Sequence, residues 1–173
     1  MSTISETRVA TAVYQVYVKA TPEAVWDALT NPARNDKYGY QSRSEYELHE
    51  GGAYRGFAND AMRAYGSPEV VIDGEVVEAE APRRLVQTWH ALFTPETVAE
   101  PPTRLTFELE DAGPGLTGVT RLTVTHELDE APATAAYVTG ALPETGGGWP
   151  FVLSDLKSLL ETGESMGRSF DTC

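Results

Sequence analysis

Residues 148–163 read GWPFVLSDLKSLLETG and decide how the rest of the chain is interpreted. Apolar side chains recur there at spacings of three and four, which places them on one face of an amphipathic helix. Pro150 suits the first turn of that helix, and Gly163 is placed to end it. The glycines at 146–148 are expected to form a flexible lead-in. Because the apolar face is too wide to remain in water, the helix needs a partner surface.

The upstream residues supply that surface as a series of strand-like segments. Alternating apolar and polar side chains predict seven strands, at 8–19, 43–48, 53–59, 70–79, 85–93, 103–110 and 118–127. Strands that follow one another as hairpins form an antiparallel sheet, and a strongly curved sheet can wrap one long helix. The predicted fold class is therefore α+β, a curved sheet of about seven strands around a long C-terminal helix.

Two short helices are expected after the first strand. Thr21-Pro22-Glu23 has the N-cap, the first-turn proline and the acidic residue of a helix start, and Pro32 opens the second helix. The segments 60–68 and 94–102 are predicted to be loops, and a further short helix is expected within 132–143.

Length and composition predict one soluble domain. The chain has 173 residues, of which 41% are hydrophobic. We assign residues 8–163 to a single domain and residues 1–7 and 164–173 to flexible tails. No apolar run approaches the ~18 residues of a membrane span, and the single cysteine, Cys173, is the last residue. These features predict a cytoplasmic protein.

The net charge of −13 argues against nucleic acid and anionic membranes as main partners, because phosphate binding needs clustered Lys and Arg. The acidic residues of the strand at 70–79 and its end could form a paired-carboxylate site, but a solvated face is the simpler interpretation. They are Asp73, Glu75, Glu78 and Glu80. The segment GPGLTG at 113–118 matches a dinucleotide pattern by letter only, since a strand follows it, and it is predicted to be a hairpin loop.

The three histidines, His49, His90 and His126, lack metal-like spacing, so neither a metal nor a cofactor is predicted. His126 continues an inward strand face. It is either bonded to a backbone carbonyl at the strand end or faces a polar ligand. His90 is predicted to lie outside the inner face.

Aromatic side chains are spread over the elements that would surround the inner side of the sheet. A curved sheet and one helix enclose more volume than their own side chains fill, which favours an apolar pocket with a few polar groups. The alternative is an ordinary packed core. The candidate ligand-binding residues are Trp26, Tyr38, Tyr46, Tyr54, Trp89, Phe107, His126 and Trp149. No catalytic residue is assigned.

Five segments, in this order and spacing, resemble those of a known group. They are Thr21–Thr30, Gly51-Gly52, Gly74–Trp89, Thr120–His126 and Gly148–Gly163. The chain resembles the START-like helix-grip (SRPBCC, birch-pollen-allergen fold) superfamily, and more narrowly the bacterial activator of heat-shock protein 90 ATPase homologue 1-like family. This resemblance implies a deep hydrophobic cavity between the sheet and the long helix, used by members for lipids, sterols, polyketides or plant hormones.

Three functions follow from the residues and the resemblance. The first is binding of a small hydrophobic or aromatic ligand, lipid or polyketide-like, in the central cavity. The second is an enzyme of the polyketide cyclase/dehydratase type, in which His126 and a tyrosine or an acid would move protons. The third is a co-regulator of a chaperone ATPase or another protein-interaction module. An exposed sheet edge would also allow a homodimer.

Overall fold

The computed structural model describes residues 11–167. The strands are β1 (Thr11–Val18), β2 (Ser44–Tyr46), β3 (Ala53–Phe57), β4 (Val70–Glu80), β5 (Arg84–Ala91), β6 (Thr103–Asp111) and β7 (Thr120–Glu127). The helices are α1 (Pro22–Thr30), α2 (Pro32–Asn35), α3 (Asp60–Ala64), α4 (Pro95–Ala99), α5 (Pro132–Val138) and α6 (Gly148–Thr162), with a 3₁₀ turn at Pro143–Thr145.

The seven strands form one antiparallel sheet in the order β1-β7-β6-β5-β4-β3-β2. Helix α6 packs against β1, α1 contacts β6, β2 and α6, and α2 contacts β2. We call the side of the sheet that faces these helices the inner face. The predicted α+β helix-grip fold is confirmed.

Gly74, inside β4, marks a close approach of two strands. A Cβ atom added at Gly74 would lie 2.0 Å from the carbonyl oxygen of Thr88 on β5. The β4–β5 register then shifts between Val76 and Glu78, and the β3–β4 register shifts at Gly56/Phe57. Such irregularities increase the local bend of a sheet.

Helices α1 to α4 begin at side-chain caps. The Thr21 hydroxyl accepts from the backbone N–H of Ala24 at 3.2 Å, as the predicted N-cap requires. Two further helices, α3 and α4, occupy segments that were predicted to be loops. Helix α4 begins with a capping box in which the side chains of Thr94 and Thr97 each accept from the other's backbone N–H. Asn59 caps α3 in the simpler one-sided way.

The glycines before α6 are tightly packed, unlike the flexible lead-in that was expected. Gly146, Gly147 and Gly148 have φ values of +92°, +97° and +63°, a region that other residues rarely adopt. The Tyr40 hydroxyl accepts from the Gly148 N–H at 3.0 Å and donates to the Thr145 carbonyl at 3.1 Å. The run is therefore a fixed turn that sets the direction of α6.

Asp155, on α6, is a fully buried carboxylate that joins three parts of the chain. It accepts from the backbone N–H of Gly39 at 2.8 Å and from the Ser165 hydroxyl at 2.7 Å, and also from the N–H of Met166. Residues 164–167 thus fold back onto α6, although they were assigned to a tail. The tail residues 1–7 and Cys173 lie outside the described residues.

Other sequence predictions concern exposed features. The segment 113–118 is the loop between β6 and β7, as predicted, and the four acidic side chains of β4 are exposed.

Within residues 11–167, no helix combines the length and apolarity that a bilayer span needs. In the same range, His, Cys, Asp and Glu side chains form no group of three suited to a metal ion.

Candidate functional site

Cross-strand pairing places two of the predicted site residues, His126 and Phe107, in neighbouring rows on the inner face. One row runs across five strands as Ala12, His126, Leu105, Gln87 and Val76. A second row consists of Tyr14, Val124, Phe107 and Leu85. Gln87 was not among the sequence-predicted site residues, although it is a polar residue at an inward position of a buried strand.

Most of the eight predicted residues lie in one hydrophobic core. Five are buried members of it: Trp26, Tyr38, Tyr54, Trp89 and Phe107. His126 is fully buried, and Tyr46 and Trp149 are partly buried at the margin of the core. The structure therefore brings these residues together in one core, and six of them belong to two polar clusters within it.

The first cluster, which we call the histidine cluster, consists of Trp89, Thr103, His126 and Trp149. The indole Nε1–H of Trp149 donates to Nδ1 of His126 at 3.2 Å, and an indole can only donate. Nε2 of His126 therefore carries the proton and faces the Thr103 hydroxyl at 2.7 Å. That hydroxyl in turn donates to the carbonyl oxygen of Trp89 at 2.7 Å. Every polar atom in the chain of bonds has a partner.

Burial lowers the pKa of His126 to about 3, so the ring is neutral. Protonation would place an N–H on Nδ1 against the donor of Trp149. Both ring nitrogens are occupied, which leaves His126 no atom with which to accept or deliver a substrate proton. The structure thus favours the structural interpretation of His126, with a hydroxyl and an indole in place of the expected backbone carbonyl.

Aromatic contacts fix the histidine cluster in place. The rings of Trp89 and His126 meet edge to face with centroids 5.2 Å apart, and Phe107 and Trp149 do so at 5.9 Å. Edge-to-face pairs of this kind add to the energy of burial and restrict rotation. His90 was predicted to lie outside the inner face. It lies on the outer face, where its Nε2 is 3.1 Å from the carbonyl oxygen of Val98.

The second cluster, the tyrosine cluster, consists of Tyr38, Tyr46, Tyr54 and Gln87 and lies toward the β2 edge. The Tyr46 hydroxyl donates to Oε1 of Gln87 at 2.9 Å, and the Tyr46 and Tyr54 rings have centroids 4.6 Å apart. The Tyr38 hydroxyl donates to the carbonyl of Ala28 in α1 at 3.0 Å. These groups are neutral, and the core around them is apolar.

Burial raises the pKa of all three tyrosines in this cluster. For Tyr54, polar side chains near its hydroxyl, including those of Ser44 and Gln87, oppose that shift. The hydroxyls consequently stay protonated and serve as hydrogen-bond donors and acceptors. The cluster can orient a polar group of a ligand, but it offers no ready general base.

Gln87 is fully buried, and its Nε2 makes no hydrogen bond of ordinary geometry within residues 11–167, although Gln87 lies near enough to the Tyr54 hydroxyl to oppose the rise in the pKa of Tyr54. Buried amide groups in folded proteins are nearly always paired. Gln87 therefore differs from His126, whose two nitrogens are both satisfied.

A pocket of about 290 Å³ lies beside the edge strand β2, lined by Pro32, Glu45, Tyr46, Glu47, Ala53 and Arg55. Of the eight predicted residues, only Tyr46 contributes to this lining. Beneath α6, by contrast, Leu153 and Leu156 are buried in the core. The described pocket is thus nearer to the tyrosine cluster than to the long helix.

A family model described as "Activator of Hsp90 ATPase homolog 1-like protein" matches residues 19–161. The chain belongs to this family. The match confirms the resemblance drawn from the sequence, and it spans most of the elements described above. The chain matches no curated protein.

Solved structures share the fold at low sequence identity. The Aha1 dimer from Colwellia psychrerythraea is 18% identical, with 90% of this chain and 98% of that chain covered and a TM-score of 0.63. PFC0360w, an HSP90 activator from Plasmodium falciparum, is 18% identical, with 87% and 96% covered and a TM-score of 0.58.

DynU16, a putative protein in the dynemicin biosynthetic locus, is 22% identical, with 90% of this chain covered and a TM-score of 0.64. This chain spans only 49% of DynU16, and 59% of CalU16 from Micromonospora echinospora. At such identities these neighbours show the fold alone.

Proposed function

We propose that this protein binds a small hydrophobic or aromatic ligand on the inner face of the sheet, between the tyrosine cluster and the pocket beside β2. The observation that carries the proposal is the position of Tyr46. Tyr46 is one of the residues that line the pocket of about 290 Å³, and its hydroxyl is bonded to the buried Gln87. The exposed Glu45, Glu47 and Arg55 also line this pocket, so an apolar ligand would reach the buried tyrosine cluster by passing Tyr46.

The edge strand β2 is the natural point of entry for such a ligand. It has three residues and pairs with β3 on one side only. Short segments with few backbone bonds open at low free-energy cost. Burial of the ligand's apolar surface, at ~25 cal/mol per Å², would supply most of the affinity.

The proposal includes the other residues predicted to contact the ligand, which lie in the core. Trp26, Trp89, Phe107 and Trp149 line the core that adjoins the tyrosine cluster. In this proposal His126 is a fixed wall of the site and takes no part in proton transfer, because its nitrogens are occupied. The geometry consequently gives no support to the cyclase/dehydratase alternative in its His126-dependent form.

A thermal-shift screen of lipids, polyketides and aromatic acids tests the proposal. We expect at least one class to raise the melting temperature, and Tyr46→Ala to weaken that ligand several-fold. Tyr65→Ala is the matched control, because Tyr65 is 93% exposed and is not among the residues that line the pocket. A screen without any shift in the wild-type protein would contradict ligand binding.

Chaperone co-regulation is a second candidate, supported by the family to which the chain belongs. The test is ATP hydrolysis by a bacterial Hsp90 homologue with and without this protein. A change in rate that Tyr46→Ala leaves intact would assign the activity to a protein surface, separate from the pocket. An unchanged rate and no complex in a pull-down would count against this candidate.

A further inference from the structure

The free side of β2 carries backbone groups that the sheet leaves unpaired. Residues on either side of the strand bond to β3, since the Arg43 carbonyl accepts at 2.8 Å and the Glu47 N–H donates at 2.9 Å. Inward-bonded and outward-facing residues alternate along an antiparallel strand, so Ser44 and Tyr46 direct their N–H and C=O groups away from β3. The edge of β2 is therefore a template on which one more strand could pair.

A side chain already occupies the first position of this edge in the manner of a strand. Oδ1 of the buried Asn35 accepts from the Ser44 N–H at 3.0 Å, and its Nδ2 donates to the Ser44 carbonyl at 2.8 Å. A residue of a neighbouring strand would make the same pair of bonds. The backbone groups of Tyr46, and of Leu48 beyond it, have no such partner within residues 11–167. The open part of the edge thus begins at Tyr46.

The surroundings of this open edge favour a basic partner. The pocket of about 290 Å³ lies beside it, and the exposed carboxylates of Glu45 and Glu47 line that pocket together with the guanidinium of Arg55. The chain as a whole has a net charge of −13. Both features attract Lys and Arg side chains and repel acidic ones.

A second copy of this chain would fit the edge poorly. Symmetric antiparallel pairing about Tyr46 would place Glu45 of one copy opposite Glu47 of the other, and pairing centred on Glu47 would place that residue opposite itself. Like charges directly opposite one another destabilise a sheet. A strand with Lys or Arg at these positions would place opposite charges there instead.

We propose that the edge of β2 binds an extended peptide segment of a partner protein by strand addition, and that this segment carries basic residues on both sides of the residue that pairs with Tyr46. The paired residue would exchange two backbone hydrogen bonds with Tyr46, and its neighbours would face Glu45 and Glu47. The inference is independent of the small-molecule proposal, and it gives the chemistry of a protein partner.

Three blocked peptides test the proposal on the full chain: TKVKT, the same peptide with an N-methyl group on its valine, and TEVET. The N-methyl peptide lacks the donor for the Tyr46 carbonyl, so we expect it to bind about fivefold more weakly than TKVKT, the effect of one hydrogen bond. TEVET should bind more weakly still. ¹H–¹⁵N NMR titration gives the affinities, and the Tyr46 amide should shift and exchange with solvent more slowly when TKVKT is bound.

Two charge reversals locate the site. Glu47→Lys should weaken TKVKT about fivefold. Glu130→Lys, at an exposed glutamate outside the pocket lining, should change its affinity by less than about twofold. The N-methyl comparison uses only the wild-type protein, so it does not depend on how a substitution affects β2.

The inference would be overturned if TKVKT failed to bind, or if it bound no better than TEVET or the N-methyl peptide. Equal losses in Glu47→Lys and Glu130→Lys would overturn it as well, because they would indicate general attraction to an acidic surface. A Tyr46 amide that becomes protected without peptide as the protein concentration rises would assign the edge to a second copy instead.

Discussion

At the scale of single residues, His126 and Gln87 show two ways of burying a polar side chain in one sheet. They lie in the same cross-strand row, separated by Leu105. His126 has a partner for each nitrogen, whereas Nε2 of Gln87 has none within residues 11–167. The first is a fixed part of the core, and the second is held through Oε1 by the Tyr46 hydroxyl.

His126 makes the stability of the protein depend on pH in a defined window. Its pKa is about 3 in the folded protein, against 6.5 for an ordinary histidine. Below pH 6.5 the unfolded chain takes up a proton that the folded protein refuses, so stability is lost as the pH falls from 6.5 toward about 3. The contribution is complete above pH 6.5 and falls by about 1.4 kcal/mol per pH unit within the window.

Urea unfolding between pH 4 and pH 8, on the wild-type protein and on His126→Gln, measures this dependence. A glutamine can keep an acceptor for Trp149 and a donor for Thr103, so the variant should fold and lack the extra slope. ¹⁵N NMR should show the Nε2–H tautomer of His126 throughout this range. A His126 that titrates near pH 6.5, or equal slopes in the two proteins, would contradict the assignment.

At the scale of elements, the turn before α6 depends on glycine for two separable reasons. A Cβ atom at Gly148 would lie 2.3 Å from the carbonyl oxygen of Val138, and the residue also has a φ of +63°. Gly115, in the β6–β7 loop, has a φ of +82° and nothing within 4 Å of an added Cβ atom. Gly115→Ala should cost about 1 kcal/mol from backbone strain alone.

Gly148→Ala should cost about 2 to 4 kcal/mol, because the steric clash adds to the strain. Chemical unfolding of both variants under the same conditions measures the difference. Equal losses would show that the close approach at the start of α6 relaxes without cost, and that this turn does not fix the helix.

The hydrogen bonds of Asp155 are the second feature that positions α6. Asp155→Ala would leave the N–H groups of Gly39 and Met166 without their acceptor, and we expect a loss of about 3 kcal/mol or more. Ser165→Ala is a milder control that removes one hydroxyl donor and keeps both backbone bonds. Hydrogen exchange should accelerate at the amides of Gly39 and Met166 in Asp155→Ala. Unfolding free energies equal to that of the wild-type protein would remove Asp155 from this role.

The Thr-Pro-Glu signal for a helix start occurs twice in the sequence, and the helix was predicted at only one of the two places. Thr21-Pro22-Glu23 predicted α1 correctly, and Thr94-Pro95-Glu96 repeats the same three residues at the start of α4, which was assigned to a loop. The glycine run at 146–148 was misjudged for another reason. Glycine permits both flexibility and a fixed left-handed turn, and only the packing of distant residues decides between them.

At the scale of the whole molecule, strand alternation and the helical period were enough to predict an α+β fold with a curved sheet around one long helix, because each strand and the long helix carry their own pattern; the helix-grip assignment came from the family resemblance. The site was less predictable. The aromatic residues were predicted to line a ligand cavity, which stays a prediction, and five of them are buried in the core, as in the packed-core alternative. Partners such as Thr103 for His126 and Tyr46 for Gln87 come from elements distant in sequence. An inward polar residue in a buried strand was the signal that could have identified Gln87.

The central claim, that this family member holds a small apolar or aromatic molecule beside the tyrosine cluster, is tested most directly by native mass spectrometry of the gently purified protein. We predict an adduct of small-molecule mass on the wild-type protein and on Tyr65→Ala, and its loss or marked reduction on Tyr46→Ala. A single ligand-free mass for the wild-type protein under conditions that preserve the fold, before and after incubation with the lipids, polyketides and aromatic acids of the screen, would contradict the account.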